Sequence, residues 1–262
     1  MNPESMNPKR VVIIGGVAGG ASAAARARRL SEEAEIIIFE RGQHVSFANC
    51  GLPYFVGGEI TERDELLLQT PESLRARFNL DVRVRAEVVA IDRQARQVKV
   101  RELDTGREYD QPYEALVLAP GASPHKPFFP GIDREGHFVV RNIPDVEKIM
   151  AWTKGCETGR AVVVGGGYIG LEMAEQLRRR GMSVTVVASA QVVAPLDPEM
   201  AAWLNQELRA NGVDLFVGDP AVAFEAPGPS ETARASMVVL KSGQRLPADL
   251  VVLGMGDRKS VV

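Results

Sequence analysis

Val11-Val12-Ile13-Ile14-Gly15-Gly16-Val17-Ala18-Gly19-Gly20 decides the fold of this chain. Four consecutive β-branched apolar residues suit a parallel strand buried on both faces. The glycines after them turn the chain into an Ala/Arg-rich helix expected over 21–30. Ile36-Ile37-Ile38-Phe39 is the next strand, and it ends on Glu40. Strand, glycine turn, helix, strand and terminal acid together make a dinucleotide-binding βαβ unit. Glycines let backbone approach a pyrophosphate, and the helix N-terminus offers it free N–H groups and a positive dipole. Gly15, Gly16, Val17, Ala18, Gly19 and Gly20 are therefore the candidate cradle, and Glu40 the candidate acceptor for ribose hydroxyls. Val17 stands where the general fingerprint has its second glycine, which narrows the backbone approach there.

The unit recurs. Ala161-Val162-Val163-Val164 leads into Gly165-Gly166-Gly167-Tyr168-Ile169-Gly170, with glycine at all three fingerprint positions. A helix through Arg180 follows, then Gly181 as a stop and a strand over 184–187. One such motif is weak evidence; two, each inside strand–helix–strand context, are strong. Gly165, Gly167, Tyr168, Ile169 and Gly170 are the second set of cofactor candidates. The second unit's strand ends Val187-Ala188-Ser189, where an NAD-specific site places an acid on the 2′-hydroxyl. Ala188 removes that acid and its repulsion of a 2′-phosphate, and Ser189 can donate to one. No arginine follows at once, so the expectation is tolerance of NADPH rather than selection for it.

Between the two units, 82–91 and 98–102 alternate in the manner of antiparallel strands, with 108–113 after a Thr105-Gly106 turn. Leu116-Val117-Leu118-Ala119-Pro120-Gly121 is a strand that ends abruptly at a glycine, and 249–256 repeats that arrangement, making Gly254 a further candidate. The Pro-rich stretch 124–130 is loop, and 142–158 is mostly a crossover helix. The expected fold is α/β, with tandem Rossmann-like nucleotide-binding domains at 1–145 and 146–256.

Composition narrows the function classes. The 262 residues, 45% of them hydrophobic, suffice for two cores of ordinary domain size. A net charge of −3 makes no electrostatic case for nucleic acid or an anionic membrane. Two cysteines, Cys50 and Cys156, lie far apart, and His44, His125 and His137 show no metal spacing, so no metal site is expected. Such cysteine usage fits a reducing compartment. The N-terminus is polar with no apolar h-region, Met-Asn-Pro recurs at Met6 as a second candidate start, and no apolar run reaches transmembrane length. The expected location is the cytoplasm.

Cys50 lies in Val45-Ser46-Phe47-Ala48-Asn49-Cys50-Gly51-Leu52-Pro53-Tyr54, and five residues on stands Phe55. Flavoenzymes that reduce disulfides usually pair two cysteines at that spacing; this chain cannot. A lone thiol beside a dinucleotide site cycles through a mixed disulfide with an outside thiol or through an oxidised sulfur. A small buried hydrophobe is the bland alternative. Ser22, Arg26 and Arg29, spaced i, i+4 and i+7, share one helical stripe that starts beside the glycine turn. A hydroxyl followed by two guanidiniums suits a phosphorylated thiol, and a merely solvated helix face is the alternative.

The chain resembles the single-cysteine pyridine nucleotide–disulfide oxidoreductases, within them most closely the coenzyme A disulfide reductase group, and there the rhodanese-linked branch that acts on persulfides or polysulfides. The resemblance runs from about Lys9 to Gly256. It rests on Gly-Gly-Val-Ala-Gly-Gly, the cysteine block, Leu-Ala-Pro-Gly-Ala, Val140-Arg141-Asn142, and Gly-Gly-Gly-Tyr-Ile-Gly-Leu-Glu; the group also has valine at position 17. It implies FAD on the first unit, with adenine against backbone at Val88 and further flavin contacts near Ala119, Gly121 and Arg141. NAD(P)H on the second unit passes hydride to the flavin, and the electrons go on to a disulfide between catalytic Cys50 and the substrate thiol. Ser22, Arg26, Arg29, Ser46 and Asn49 match coenzyme A contacts, with Arg77 a weaker phosphate candidate. The rivals are an NADH oxidase or peroxidase cycling through a cysteine sulfenic acid, and a non-catalytic FAD-binding redox sensor.

The group continues past Gly256 into a flavin-binding return segment and a C-terminal domain that forms a homodimer. Here Asp257-Arg258-Lys259-Ser260-Val261-Val262 follows, a hexapeptide that a common sequencing-library adapter encodes. The expectation is a foreign tail at 257–262 on a truncated gene, with an incomplete FAD domain and a missing dimerisation domain.

Overall fold

The computed structural model of the chain describes residues 9–156, 159–228 and 234–259. In chain order the elements begin β1 (Arg10–Ile14), α1 (Ala18–Leu30), β2 (Glu35–Glu40), α2 (Gly51–Gly57) and α3 (Pro71–Phe78). Five strands follow: β3 (Asp81–Val84), β4 (Ala86–Asp92), β5 (Gln97–Glu102), β6 (Glu108–Pro112) and β7 (Ala115–Leu118). Next come β8 (Ala122–Pro124), β9 (His137–Phe138), α4 (Ile143–Thr153), β10 (Arg160–Val164), α5 (Tyr168–Arg179), β11 (Ser183–Ala188) and α6 (Pro198–Ala210). The last are β12 (Val213–Val217), β13 (Ala221–Glu225), β14 (Ser236–Leu240), β15 (Arg245–Ala248), β16 (Leu250–Leu253) and β17 (Asp257–Lys259). They fall into two compact units, one of described residues 9–48, Leu67–Ala122 and Lys259, the other of Asn49–Leu66 and Ser123–Arg258.

In the first unit a parallel sheet runs in the order β3-β2-β1-β7. Val12, Ile13, Ile37 and Ile38 are wholly buried, as strands covered on both faces require. One face packs Val11, Ile13, Ile36 and Ile38 on Ala24 of α1 and Leu74 of α3. The other packs Val12, Ile14, Ile37 and Phe39 on Val98 and Val100 of the antiparallel sheet β4-β5-β6. Each such side chain contributes about 1.5–3 kcal/mol by leaving water.

The second unit repeats the plan. Its parallel sheet runs β12-β11-β10-β16-β9, and the antiparallel sheet β13-β14-β15 is inserted just before β16, as β4-β5-β6 is before β7. Val162, Val164, Val251 and Leu253 pack on Phe224, Val238 and Leu240. At the start of β16, Asp249 accepts from Arg160 N at 2.8 Å, Arg160 Nε at 3.1 Å and Arg234 N at 2.9 Å. Burial alone would raise this carboxyl; the Arg160 guanidinium and the two backbone N–H groups outweigh it and hold it below the usual range. A depressed folded value makes the contribution complete above the unfolded value and lost as pH falls through the folded one. Asp249→Asn is expected to lower stability by about 2 kcal/mol at neutral pH, with the deficit shrinking below about pH 4, in urea titrations at both pH values.

Two expectations are corrected. The stretch 82–91 is not one strand: Arg85, at φ 55°, ends β3 in the parallel sheet and starts β4 in the antiparallel one. The first turn of α1 takes in Ala18, Gly19 and Gly20, which were expected to be turn. The Thr105-Gly106 turn stands as expected, with Gly106 at φ 73°, and it joins the antiparallel strands β5 and β6. The crossover helix spans Ile143–Thr153, capped by Asn142, which accepts from Asp145 N at 3.0 Å. Of the tail, 257–259 is strand, while 260–262 and Met6 lie outside the described residues.

Candidate functional site: two glycine cradles and a thiol helix

The first cradle is formed where β1 ends between its neighbours. Gly15 N donates to Phe39 O at 2.8 Å, and Ala119 N donates to Ile14 O at 2.8 Å. Gly15 sits at φ 95°, and a Cβ there would lie 2.0 Å from Ala119 O. A Cβ on Gly20 would lie 1.7 Å from Gly15 O. Only glycine fits either place, so the loop closes tightly on itself and aims the unbonded N–H groups of the first turn of α1 outward. Ala18 and Gly19 are exposed there, and Val17 is half-buried at the N-cap. These donors fit a pyrophosphate. Glu40 accepts from Gly16 N at 2.8 Å and from Gly42 N at 2.7 Å, so the acid expected on a ribose also holds the loop. Ser46, left-handed at φ 47°, donates its N–H to Gly16 O at 3.1 Å and so stands at the cradle.

The second cradle has the same geometry. Gly165 N donates to Val187 O at 2.8 Å and Gly254 N to Val164 O at 2.7 Å. A Cβ on Gly165 would meet Gly254 O at 2.0 Å, and one on Gly170 would meet Gly165 O at 2.0 Å. Val193, left-handed at φ 46°, donates to Gly166 O at 2.7 Å, as Ser46 does to Gly16. Gly167 has open space at its Cβ position, and Tyr168 and Ile169 are exposed at the start of α5. Ala188 is buried at the strand end, at the place of Glu40.

Cys50 is exposed and forms the N-cap of α2, which carries Leu52, Pro53 and Val56 inward. This helix belongs to the second unit and packs on α5 and α4. Fully buried Gln176 of α5 donates to Glu59 Oε1 at 3.1 Å, Arg179 donates to the same oxygen at 2.6 Å, and Arg180 Nε donates to Val56 O. A Cβ on Gly57 would lie 1.7 Å from Gln176 Oε1, so the helices meet at that glycine. Arg63, just beyond α2, pairs with Glu147 of α4 at 2.5 Å. The neighbouring Glu172 carboxylate raises the Tyr54 phenol above its usual value. Sequence reasoning missed Tyr54, Glu59, Glu172, Gln176 and Arg179. The i, i+4 spacing of Glu172 and Gln176 marks them as one helix face, but nothing local says what that face meets.

The other expected site residues are more scattered. Ser22, Arg26 and Arg29 are all exposed on α1. Arg28 is spent on structure, donating to the carbonyls of Phe78, Ser31, Glu32 and Asn79. Arg77 is exposed near the end of α3 with its guanidinium 5.3 Å from the Phe78 ring centroid. Val88 lies on β4, paired with Val100 beside a bulge, and Gly121 follows β7 at φ 71°. Arg141 is half-buried ahead of α4 and donates its N–H to Asp145 at 3.1 Å; Asn49 is half-buried next to Cys50. Gly15, Gly16, Gly20, Glu40, Ser46 and Ala119 thus come together in one place, and Gly165, Gly170, Ala188 and Gly254 in another.

A family model described as pyridine nucleotide-disulphide oxidoreductase matches residues 9–261. The chain is 32% identical over 249 residues to a coenzyme A disulfide reductase of Staphylococcus haemolyticus, covering 95% of this chain and 54% of that protein. A crystal structure of reduced CoADR-RHD from Bacillus anthracis superposes with a TM-score of 0.89 at 45% identity, covering 95% of this chain and 44% of that one. An NAD-dependent persulfide reductase from A. fulgidus gives 0.87 at 36% identity, with 95% and 45% covered. The chain spans about half the length of the curated relatives it matches.

Proposed function

The chain belongs to the pyridine nucleotide-disulphide oxidoreductases, and from that premise we propose that it works in the FAD-dependent, NAD(P)H-driven reduction of coenzyme A disulfide or coenzyme A persulfide through Cys50. The observation that carries this reading is an exposed lone thiol, with Phe55 at the partner position, fixed on a helix that follows the first of two glycine cradles. FAD belongs to the first cradle, held at Gly15–Gly20 by the N–H groups of α1, and NAD(P)H to the second, at 165–170. This divides the chain into an FAD-binding part over 1–145 and an NAD(P)-binding part over 146–256.

Cys50 as thiolate attacks one sulfur of the disulfide; the old S–S bond breaks, one coenzyme A thiol leaves with a proton, and a Cys50–coenzyme A disulfide remains. Bound FAD supplies the two electrons, drawn from NAD(P)H, that return Cys50 and the second coenzyme A to thiols. Ser22, Arg26 and Arg29 present a hydroxyl and two guanidiniums to the phosphates of the substrate, with Ser46 and Asn49 nearer the thiol in sequence and Arg77 a further phosphate contact. Val88, Ala119, Gly121 and Arg141 are the remaining flavin contacts in this reading. The resemblance implies a cytoplasmic homodimer as the working form. No helix among the described residues is long and apolar enough to cross a membrane.

NADPH oxidation by the flavin-loaded protein is expected to require added coenzyme A disulfide, and intact mass after purification to show one coenzyme A adduct. Fast NADH turnover with oxygen alone and an unmodified or sulfenic Cys50 would replace this reading with an oxidase. Flavin binding without any turnover would replace it with a redox sensor.

A further inference from the structure

β12 is the terminal strand of the second parallel sheet and pairs on one side only, with β11, in a register unbroken from Val213 to Val217. A free strand edge offers unpaired N–H and C=O groups to another chain, and proteins guard it with charges, proline, a bulge or a very short strand. The other edge of this sheet, β9, has only two residues. In the first unit β3 holds the place of β12, and its Asp81 pairs with Arg83 at 2.7 Å and with Arg75 at 3.6 Å. β12 has no such guard. Its one charge is Asp214, Val217 is exposed, and Leu215 and Phe216 are half-buried. A cleft of about 560 Å³ runs along it, lined by Thr185, Arg209, Asp214, Phe216, Gln244 and Leu246. Neither Arg209 nor Asp214 forms an ion pair among the described residues.

With its flanks the strand reads almost the same in both directions: Gly212-Val213-Asp214-Leu215-Phe216-Val217-Gly218. We propose that β12 is a self-association edge, pairing antiparallel with β12 of a second copy of this chain about a two-fold axis at Leu215. That register sets Leu215 against Leu215, Val213 against Val217 and Gly212 against Gly218, and aliphatic cross-strand pairs of this kind stabilise a sheet. Each Asp214 falls opposite Phe216, so the two acids do not meet. One step further out, Asn211 stands opposite Asp219 of the other copy. Asp219 accepts from Ser242 N at 2.9 Å and from the Ser242 hydroxyl, both neutral, and Arg209 at the same end is the free cation that complements it. Pairing joins two five-stranded sheets into one. β10, whose end carries the second cradle, lies two strands in from this edge and stays clear of it. The association is separate from the homodimer that the resemblance implies, which forms through a further C-terminal domain.

The test is sedimentation of the full chain from about 1 to 100 μM, with amide hydrogen exchange read at 213–217. The mass is expected to rise from one chain towards two, and protection of the β12 amides to rise with it. Leu215→Lys brings two cations together at the axis and is expected to leave a monomer. Because Leu215 is half-buried, Val217→Lys at the exposed end of the strand is the second variant, expected to weaken association about tenfold. Val222→Lys, similarly exposed on β13, is expected to change nothing. Arg209→Glu should weaken association about fivefold at low salt and much less at high salt. A wild type that stays monomeric at the highest concentration overturns the inference. So does a dimer that survives both lysine variants at β12, or one that Val222→Lys weakens as much as Val217→Lys. NADPH binding is expected to be the same in every variant, so the proposed function stands or falls separately.

Discussion

Cys50→Ser is expected to abolish coupling to coenzyme A completely, while Cys156→Ser leaves it unchanged. The reaction needs a thiolate at the sulfur that attacks, and a serine hydroxyl neither ionises near neutral pH nor forms a disulfide. Cys50 is exposed, whereas Cys156 is half-buried with its Sγ 3.4 Å from Trp152 O. Neither flank of the thiol is disturbed by the change: α2 is held from its far end by Glu59, Gln176 and Arg180. The measurement is the intact mass of protein first reduced to free thiols and then incubated with coenzyme A disulfide, where the wild type and Cys156→Ser each gain one coenzyme A moiety. A Cys50→Ser protein that still gains one would place the chemistry at another residue and remove the basis of the proposed function. Arg26→Glu with Arg29→Glu should slow adduct formation without preventing it, because the guanidiniums attract the phosphates and take no part in the sulfur exchange.

Gly20→Ala should cost about 3 kcal/mol or more and remove flavin binding, because the added Cβ would lie 1.7 Å from Gly15 O and 2.9 Å from Gly15 C. Both are backbone atoms, so relief requires opening the loop that makes the cradle. Gly19→Ala, one residue earlier, meets only Ala119 Cβ at 3.6 Å, an ordinary contact, and should retain both stability and flavin. The second unit separates the two roles: Gly170→Ala meets Gly165 O at 2.0 Å and should lose stability, while Gly167→Ala meets no atom of the chain and should keep stability but weaken NADPH binding, because its open face is where a pyrophosphate approaches. The first pair is read by flavin titration and the second by NADPH binding, with urea unfolding for all four. Equal stability and equal flavin binding in Gly20→Ala and Gly19→Ala would mean that the cradle does not close as described.

The sequence by itself determined the two βαβ units, since unbroken apolar runs followed by glycines satisfy a doubly covered strand and a tight turn with information only a few residues long. It also determined that Cys50 has no partner five residues on. The split of 82–91 was not legible there, because alternation is the same on both sides of Arg85 and only its left-handed backbone, with its N–H donating to Gly42 O at 3.1 Å, sends the chain to another sheet. Sequence reasoning read Glu40 as a ribose acceptor; that it also binds the loop through Gly16 depends on where β1 and β2 lie in register. The seat of Cys50 was decided by tertiary structure alone. Glu59 meets Gln176 and Arg179 across more than a hundred residues of chain, and no local pattern of spacing or propensity encodes a partner at that distance. Such contacts exist only once burial has brought two separately formed helices together.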